Sequence, residues 1–99
     1  MNDGFIRIGA ATPAVHVAGC AANAEEICRI AREASAAGVN ILCFPELCVT
    51  GYTCGDLFLE PVLLQGAEKA VSYILKETAS LPLLMAVGVP VAHRNQLYN

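Results

Sequence analysis

The tightest constraint on the fold is a strand–helix–strand pattern with short joints between Phe5 and Phe44. Phe5-Ile6-Arg7-Ile8-Gly9-Ala10-Ala11 is apolar except for Arg7. It predicts a strand near an edge, or one with a face toward solvent, closed by Thr12-Pro13. Ala14 to Ala22 reads as a loop of small residues, with His16 as a surface histidine. Then Ala24, Ile27, Ala31 and Ala34 recur at helical spacing and Ile30 widens the stripe, while Glu25, Arg29, Arg32 and Glu33 mark the wet side. Asn23 is predicted as the N-cap, with Glu26 completing a capping box, and Gly38 as the left-handed residue that ends the helix. Asn40 to Phe44 is a second strand. A βαβ unit of this kind requires parallel strands and a right-handed crossover. The alanine stripe lets the helix sit close on the sheet.

The alternation continues less cleanly. Asp56 to Leu59 predicts one helical turn capped by Asp56, which Pro61 prevents from simply continuing. Ala67, Val71, Ile74, Leu75 and Thr78 predict a second amphipathic helix, ending at Leu81-Pro82. Leu83 to Val91 is almost wholly apolar and predicts a third strand covered on both faces. His93-Arg94-Asn95-Gln96 is turn-like, and Leu97-Tyr98-Asn99 reads as the start of a fourth strand. The class is α/β, as one unit over 1–99.

Composition narrows the partners. A chain of 99 residues that is 56% hydrophobic and 15% charged is rich for a free-standing domain, and expects cover from elsewhere. A net charge of −3 with six Lys and Arg leaves no basic stripe, which argues against a nucleic-acid partner. Met1-Asn2-Asp3-Gly4 has neither the basic nor the apolar region of a signal peptide. The longest apolar run, Leu81 to Ala92, is shorter than the ~18 residues of a membrane span and carries two prolines, Pro82 and Pro90. Five cysteines without a Cys-x-x-Cys pair predict reduced thiols in a cytoplasmic protein, with no metal site and no disulfide.

The chemistry concentrates in Phe44 to Phe58. Glu46 follows the apolar run Ile41 to Pro45, so it stands where open α/β sheets place ligands, beyond the carboxyl ends of the strands. Pro45 holds Phe44 extended, Gly51 allows a tight turn, and Tyr52 adds a ring with a hydroxyl. Taken alone, Glu46 is open to a second reading as a loop or helix-start acid, and Tyr52 to one as packing for the turn. Cys48 and Cys54 read as small buried or loop thiols, and Lys69 and Lys76 as part of a solvated helix face.

Phe44-Pro45-Glu46-Leu47 followed by Gly51-Tyr52 resembles the general-base motif of the nitrilase (carbon–nitrogen hydrolase) superfamily. The string Gly51 to Phe58 is similar to the glutaminase domain of glutamine-dependent NAD synthetases, and Arg94 to Asn99 looks like that family's lead-in to its next strand. The resemblance runs from about Phe5 to Asn99. It implies the N-terminal portion of an α-β-β-α sandwich, with Glu46 as general base and Tyr52 in contact with glutamine. Asn99 resembles a family asparagine at the start of a strand, and no role is read for it from the sequence. The family hydrolyses the amide through a cysteine thioester, with a lysine at the oxyanion. It passes the ammonia to a synthetase domain where ATP and Mg2+ activate deamido-NAD. The family's lysine and cysteine lie on later strands, and none of the five cysteines here matches that cysteine's motif. The resemblance therefore implies a partial glutaminase domain, inactive alone, whose partners are glutamine, the rest of the nitrilase domain and a synthetase domain. The uncovered apolar residues predict a homo-oligomer. Two alternatives remain: another amidase of the superfamily, such as a carbamoyl hydrolase or ω-amidase, or a non-catalytic α/β interaction module.

Overall fold

The computed structural model describes residues 4–99. The signal-peptide reading of Met1-Asn2-Asp3 lies outside them. Strands β1 (Ile8–Ala10), β2 (Ile41–Cys43) and β3 (Leu84–Ala86) form a parallel sheet in that order. Ile8 and Leu84 both register with Ile41. Helix α1 (Cys20–Ala36) joins β1 to β2, and α2 (Pro61–Glu77) lies between β2 and β3. Two right-handed crossovers that step the same way across a sheet put both helices on one face. There α1 and α2 pack together, burying Ala24, Ile27, Cys28 and Ala31 on one and Leu63, Ala67, Ala70 and Ile74 on the other.

The period-two alternation of the strands then divides the sheet. Leu42 is buried toward the helices, whereas Ile8 and Leu84 stay 71% and 68% exposed. The expected cover on both faces of the third strand is therefore absent among the described residues. The physical reason is the handedness rule: with both helices on one side, nothing described is left to cover the other. No described helix is long and apolar enough to cross a membrane.

The end of α1 matches its expectation. Gly38 is left-handed (φ 84°), Val39 N–H donates to Ala34 O and Gly38 N–H to Ser35 O, each at 3.0 Å, which is a Schellman motif. The start does not. The helix begins at Cys20, and Asn23 lies inside it, 1% exposed. Its side-chain oxygen accepts the His16 N–H, and its Nδ2 donates to His16 O and Val49 O, each at 2.8 Å. Asn23 thus ties the incoming loop and the turn after β2 to the helix. Glu26 makes no capping box; it pairs with Arg29 at 2.6 Å.

Two further expectations are corrected. Asp56 caps nothing: the 3-10 turn Gly55–Leu59 starts from Cys54 without a side-chain cap, and the Cys54 thiol points back to Thr50 O at 3.2 Å. Pro61 stands at the first position of α2, which ends at Glu77, where the Thr78 hydroxyl donates to Ile74 O at 2.6 Å. The third strand stops at Ala86 instead of running to Val91. Val91–His93 forms a separate strand, β4, paired antiparallel with β5 (Gln96–Tyr98). Arg94 and Asn95 join them with φ of 50° and 64°, the left-handed pair that a two-residue type I′ hairpin needs.

Asn23 yields a stability test. Asn23→Leu fills the same space but removes the partner of the His16 N–H and of Val49 O, while His16 O keeps the Gly19 N–H at 3.0 Å. A buried polar group left unpaired costs about 1–3 kcal/mol, so the urea midpoint is expected to fall by an amount equivalent to about 2 kcal/mol. A loss under about 1 kcal/mol would mean that water replaces those bonds freely.

Candidate active site

Glu46 opens a turn rather than a helix. After β2, the Phe44 N–H donates to Ala86 O at 2.9 Å and holds the chain against β3 until Pro45 ends the pairing. Leu47 then takes a left-handed conformation (φ 52°), and Thr50 and Gly51 N–H groups donate back to Leu47 O at 3.2 and 2.8 Å. Gly51 (φ 92°) packs so close to Val17 that an added Cβ would lie 3.2 Å from its Cα. Thr50 O also accepts the Ala18 N–H at 2.6 Å. The turn is held from the α1 loop on one side and, through Asn23, from α1 itself.

From the other side it is held by Gly88. A Cβ there would lie 2.7 Å from Pro45 O and 2.9 Å from the Glu46 carbonyl carbon, and would also collide with Leu47 N. Gly88 O accepts the Val49 N–H at 3.2 Å. Only glycine lets two backbones approach this closely. Gly88 was missed in the sequence reading, although a glycine inside an apolar run is a signal of close backbone approach.

The Glu46 carboxylate is exposed, not partly buried as a base in a closed site would be. Its acceptor Oε1 takes a hydrogen bond from Asn99 Nδ2 at 2.9 Å. Beside it, Leu47, Phe58, Pro90, Leu97, Tyr98 and Asn99 line a shallow cavity of about 170 Å3. Tyr52 is 69% exposed on the same turn system, and so does not pack that turn closed. Acid, aromatic and apolar cavity thus lie on one end of the sheet, beyond the carboxyl ends of β2 and β3.

No nucleophile stands with them among the described residues. All five cysteines are free, and four are buried: Cys20, Cys28, Cys48 and Cys54. Burial pushes the Cys48 thiol above its ordinary range, and that thiol donates toward Gly88 O at 3.8 Å. Burial likewise raises Cys20 and Cys28. A raised thiol carries little thiolate at neutral pH. Cys54 donates to Thr50 O and Gly51 O. Lys69 and Lys76 are exposed on α2. No cluster of three or more His, Cys, Asp or Glu among the described residues could hold a metal ion.

Comparison with known proteins gives a single answer. No family model matches the chain. The chain is 33% identical over 98 residues to the glutamine-dependent NAD(+) synthetase of Mycobacterium leprae, covering 99% of this chain and 14% of that protein. It is 38% identical over 77 residues to the enzyme of the same name from Aquifex aeolicus, covering 78% of this chain and 13% of that protein. A crystal structure of a glutamine-dependent NAD(+) synthetase from Cytophaga hutchinsonii superposes with a TM-score of 0.81 at 38% identity, over 95% of this chain and 16% of that one. The chain therefore spans about one seventh of the length of the curated relatives it matches.

The contact at Gly88 can be tested directly. Gly88→Ala forces a Cβ into backbone atoms, and is expected to cost about 3 kcal/mol in denaturant unfolding, the upper range for overpacking. Gly9→Ala is the control. Its Cβ would meet only side-chain atoms of Leu42 and Val39, at 3.3 Å and beyond, and about 1 kcal/mol is expected. Equal losses would mean that the turn carrying Glu46 yields as easily as a side chain does.

Proposed function

Because this chain is homologous over nearly its whole length to glutamine-dependent NAD(+) synthetases, we propose that it is the general-base segment of a nitrilase-type glutaminase that feeds ammonia to NAD synthesis. The observation that carries the reading is a carboxylate, Glu46, beyond the end of β2 on a turn fixed from both sides by backbone packing. That is rigid support for one acid, in the crevice where α/β sheets bind ligands.

In this reading Glu46 takes the proton of a cysteine thiol supplied from outside this chain, and the thiolate attacks the glutamine carboxamide. The C–N bond breaks, Glu46 returns the proton to the leaving nitrogen, and ammonia departs. Water, deprotonated by the same carboxylate, then resolves the thioester to glutamate. A lysine, also outside this chain, stabilises the oxyanion. Tyr52 contributes its exposed ring and hydroxyl to the glutamine site. ATP and Mg2+ act at a separate synthetase domain, and no residue of this chain is assigned to them. The raised thiols of Cys20, Cys28 and Cys48 support inactivity of this segment alone, and five free cysteines support a reducing, cytoplasmic compartment. The bare outer face of the sheet supports a second sheet as its cover, as in an α-β-β-α sandwich.

Two substitutions in the complete protein test the assignment. Glu46→Gln keeps the shape but cannot take a proton, and is expected to abolish glutamine-dependent synthesis while sparing synthesis from added ammonia. Tyr52→Ala is expected to raise KM for glutamine with little change in melting temperature, as for lost ground-state binding. More than a few per cent of residual glutamine hydrolysis in the first variant would remove Glu46 from the base role. Preference of the wild type for another amide would move the chain to a different amidase of the superfamily.

The bare face makes a separate prediction for the 99-residue chain alone. Light scattering is expected to find dimers or larger species, because exposed apolar faces and strand edges recruit other chains. A monodisperse monomer would show that Ile8 and Leu84 tolerate water.

A further inference from the structure

The strongest feature without an assigned purpose is the bond between Asn99 and Glu46. We infer that Asn99 is the positioning residue of Glu46, holding one carboxylate oxygen so that the other is presented for proton transfer. The inference rests on the general-base reading above.

Glu46 needs such a partner. Its backbone is fixed, but its side chain is exposed and has several rotatable bonds between the turn and the carboxylate. A base must be held within roughly 0.5 Å of its productive geometry. Among the described residues the carboxylate makes one side-chain hydrogen bond, from Asn99 Nδ2 to Oε1 at 2.9 Å. An ionised carboxylate only accepts, so the asparagine must present its NH2 and not its oxygen. Oε2 has no hydrogen-bond donor among the described residues, which leaves it free to take and return a proton.

The donor follows the second strand of a hairpin. Asn99 follows β5, which pairs with β4 in a fixed register from Val91–Tyr98 to His93–Gln96. The hairpin turn uses two left-handed residues and its root is the buried Pro90. Asn99 also lines the 170 Å3 cavity with Leu47, Phe58, Pro90, Leu97 and Tyr98. Hairpin and turn reach the same place because Gly88 presses the β3–β4 connection onto Pro45 to Leu47. A partner 53 residues away in sequence is thereby brought to the acid by tertiary structure alone.

The test is made in the complete protein with Asn99→Asp and Asn99→Ala beside Glu46→Gln. Glutamine hydrolysis is measured against ammonia-dependent synthesis. Asp keeps the shape of Asn but replaces the donor with a second carboxylate. Both Asn99 variants are expected to lower kcat for glutamine about 10- to 100-fold, Asp the more, with KM within about twofold and ammonia-dependent synthesis unchanged. Wild-type kcat in Asn99→Asp would overturn the proposal, as would an equal loss of both activities, which would assign Asn99 to folding. Glu46→Gln separates the two levels. If it retains hydrolysis, the general-base reading falls and this proposal with it. If it abolishes hydrolysis while Asn99→Asp is unaffected, this proposal alone falls.

Discussion

Most of the molecule's functional geometry depends on one close approach, the backbone of Gly88 against the backbone of Pro45, Glu46 and Leu47. No other residue could stand there without moving one of the two chains. The approach brings Gly88 O to the Val49 N–H and the Cys48 thiol. It also deflects the chain out of the sheet after Ala86. The hairpin that follows is therefore beside Glu46 and not continuous with β3, and Asn99 can reach the acid. Turn, strand end and hairpin are one unit because a side chain is missing.

The rest of the architecture supplies the platform. Two helices on one face of a three-stranded sheet make a two-layer body whose inner surface is built from small residues. Alanine and cysteine dominate because α1 and α2 must lie close to each other and to the strands. On the other face Ile8 and Leu84 are exposed, as are Phe5 and Ile6 before β1. A surface of that kind is expensive to leave in water. The high hydrophobic content of the chain thus lies partly in exposed residues and not only in the core.

The electrostatics are equally one-sided. The turn carries an acid and an aromatic, Cys48 beside it is buried with its thiol pushed up by that burial, and the lysines are exposed on α2. Such a site offers a proton acceptor and a hydroxyl-bearing ring to a polar ligand. Enclosure of such an acid would strengthen its interactions and exclude competing water.

Read as a string, the chain determined its α/β class, the parallel pairing of β1 and β2, the Schellman end of α1 at Gly38, and the position of Glu46 past a strand. These follow from local rules: hydrophobic period, chirality of crossovers, the glycine requirement at positive φ. What only the tertiary structure decided involves residues distant in sequence. Asn23 looks like a cap because Asn before a helical stripe usually is one; it is a buried clamp because a loop and a turn both present it with unpaired backbone groups. Leu83 to Val91 looks like one strand because its composition is uniform; it is two because Gly88 meets another backbone in its middle. The exposure of the Ile8 and Leu84 face follows from where two helices land, and the Asn99–Glu46 bond from where a hairpin is aimed. Periodicity records which side of an element is apolar, but not what stands opposite it, and contacts across the fold are set by packing that no window of sequence contains.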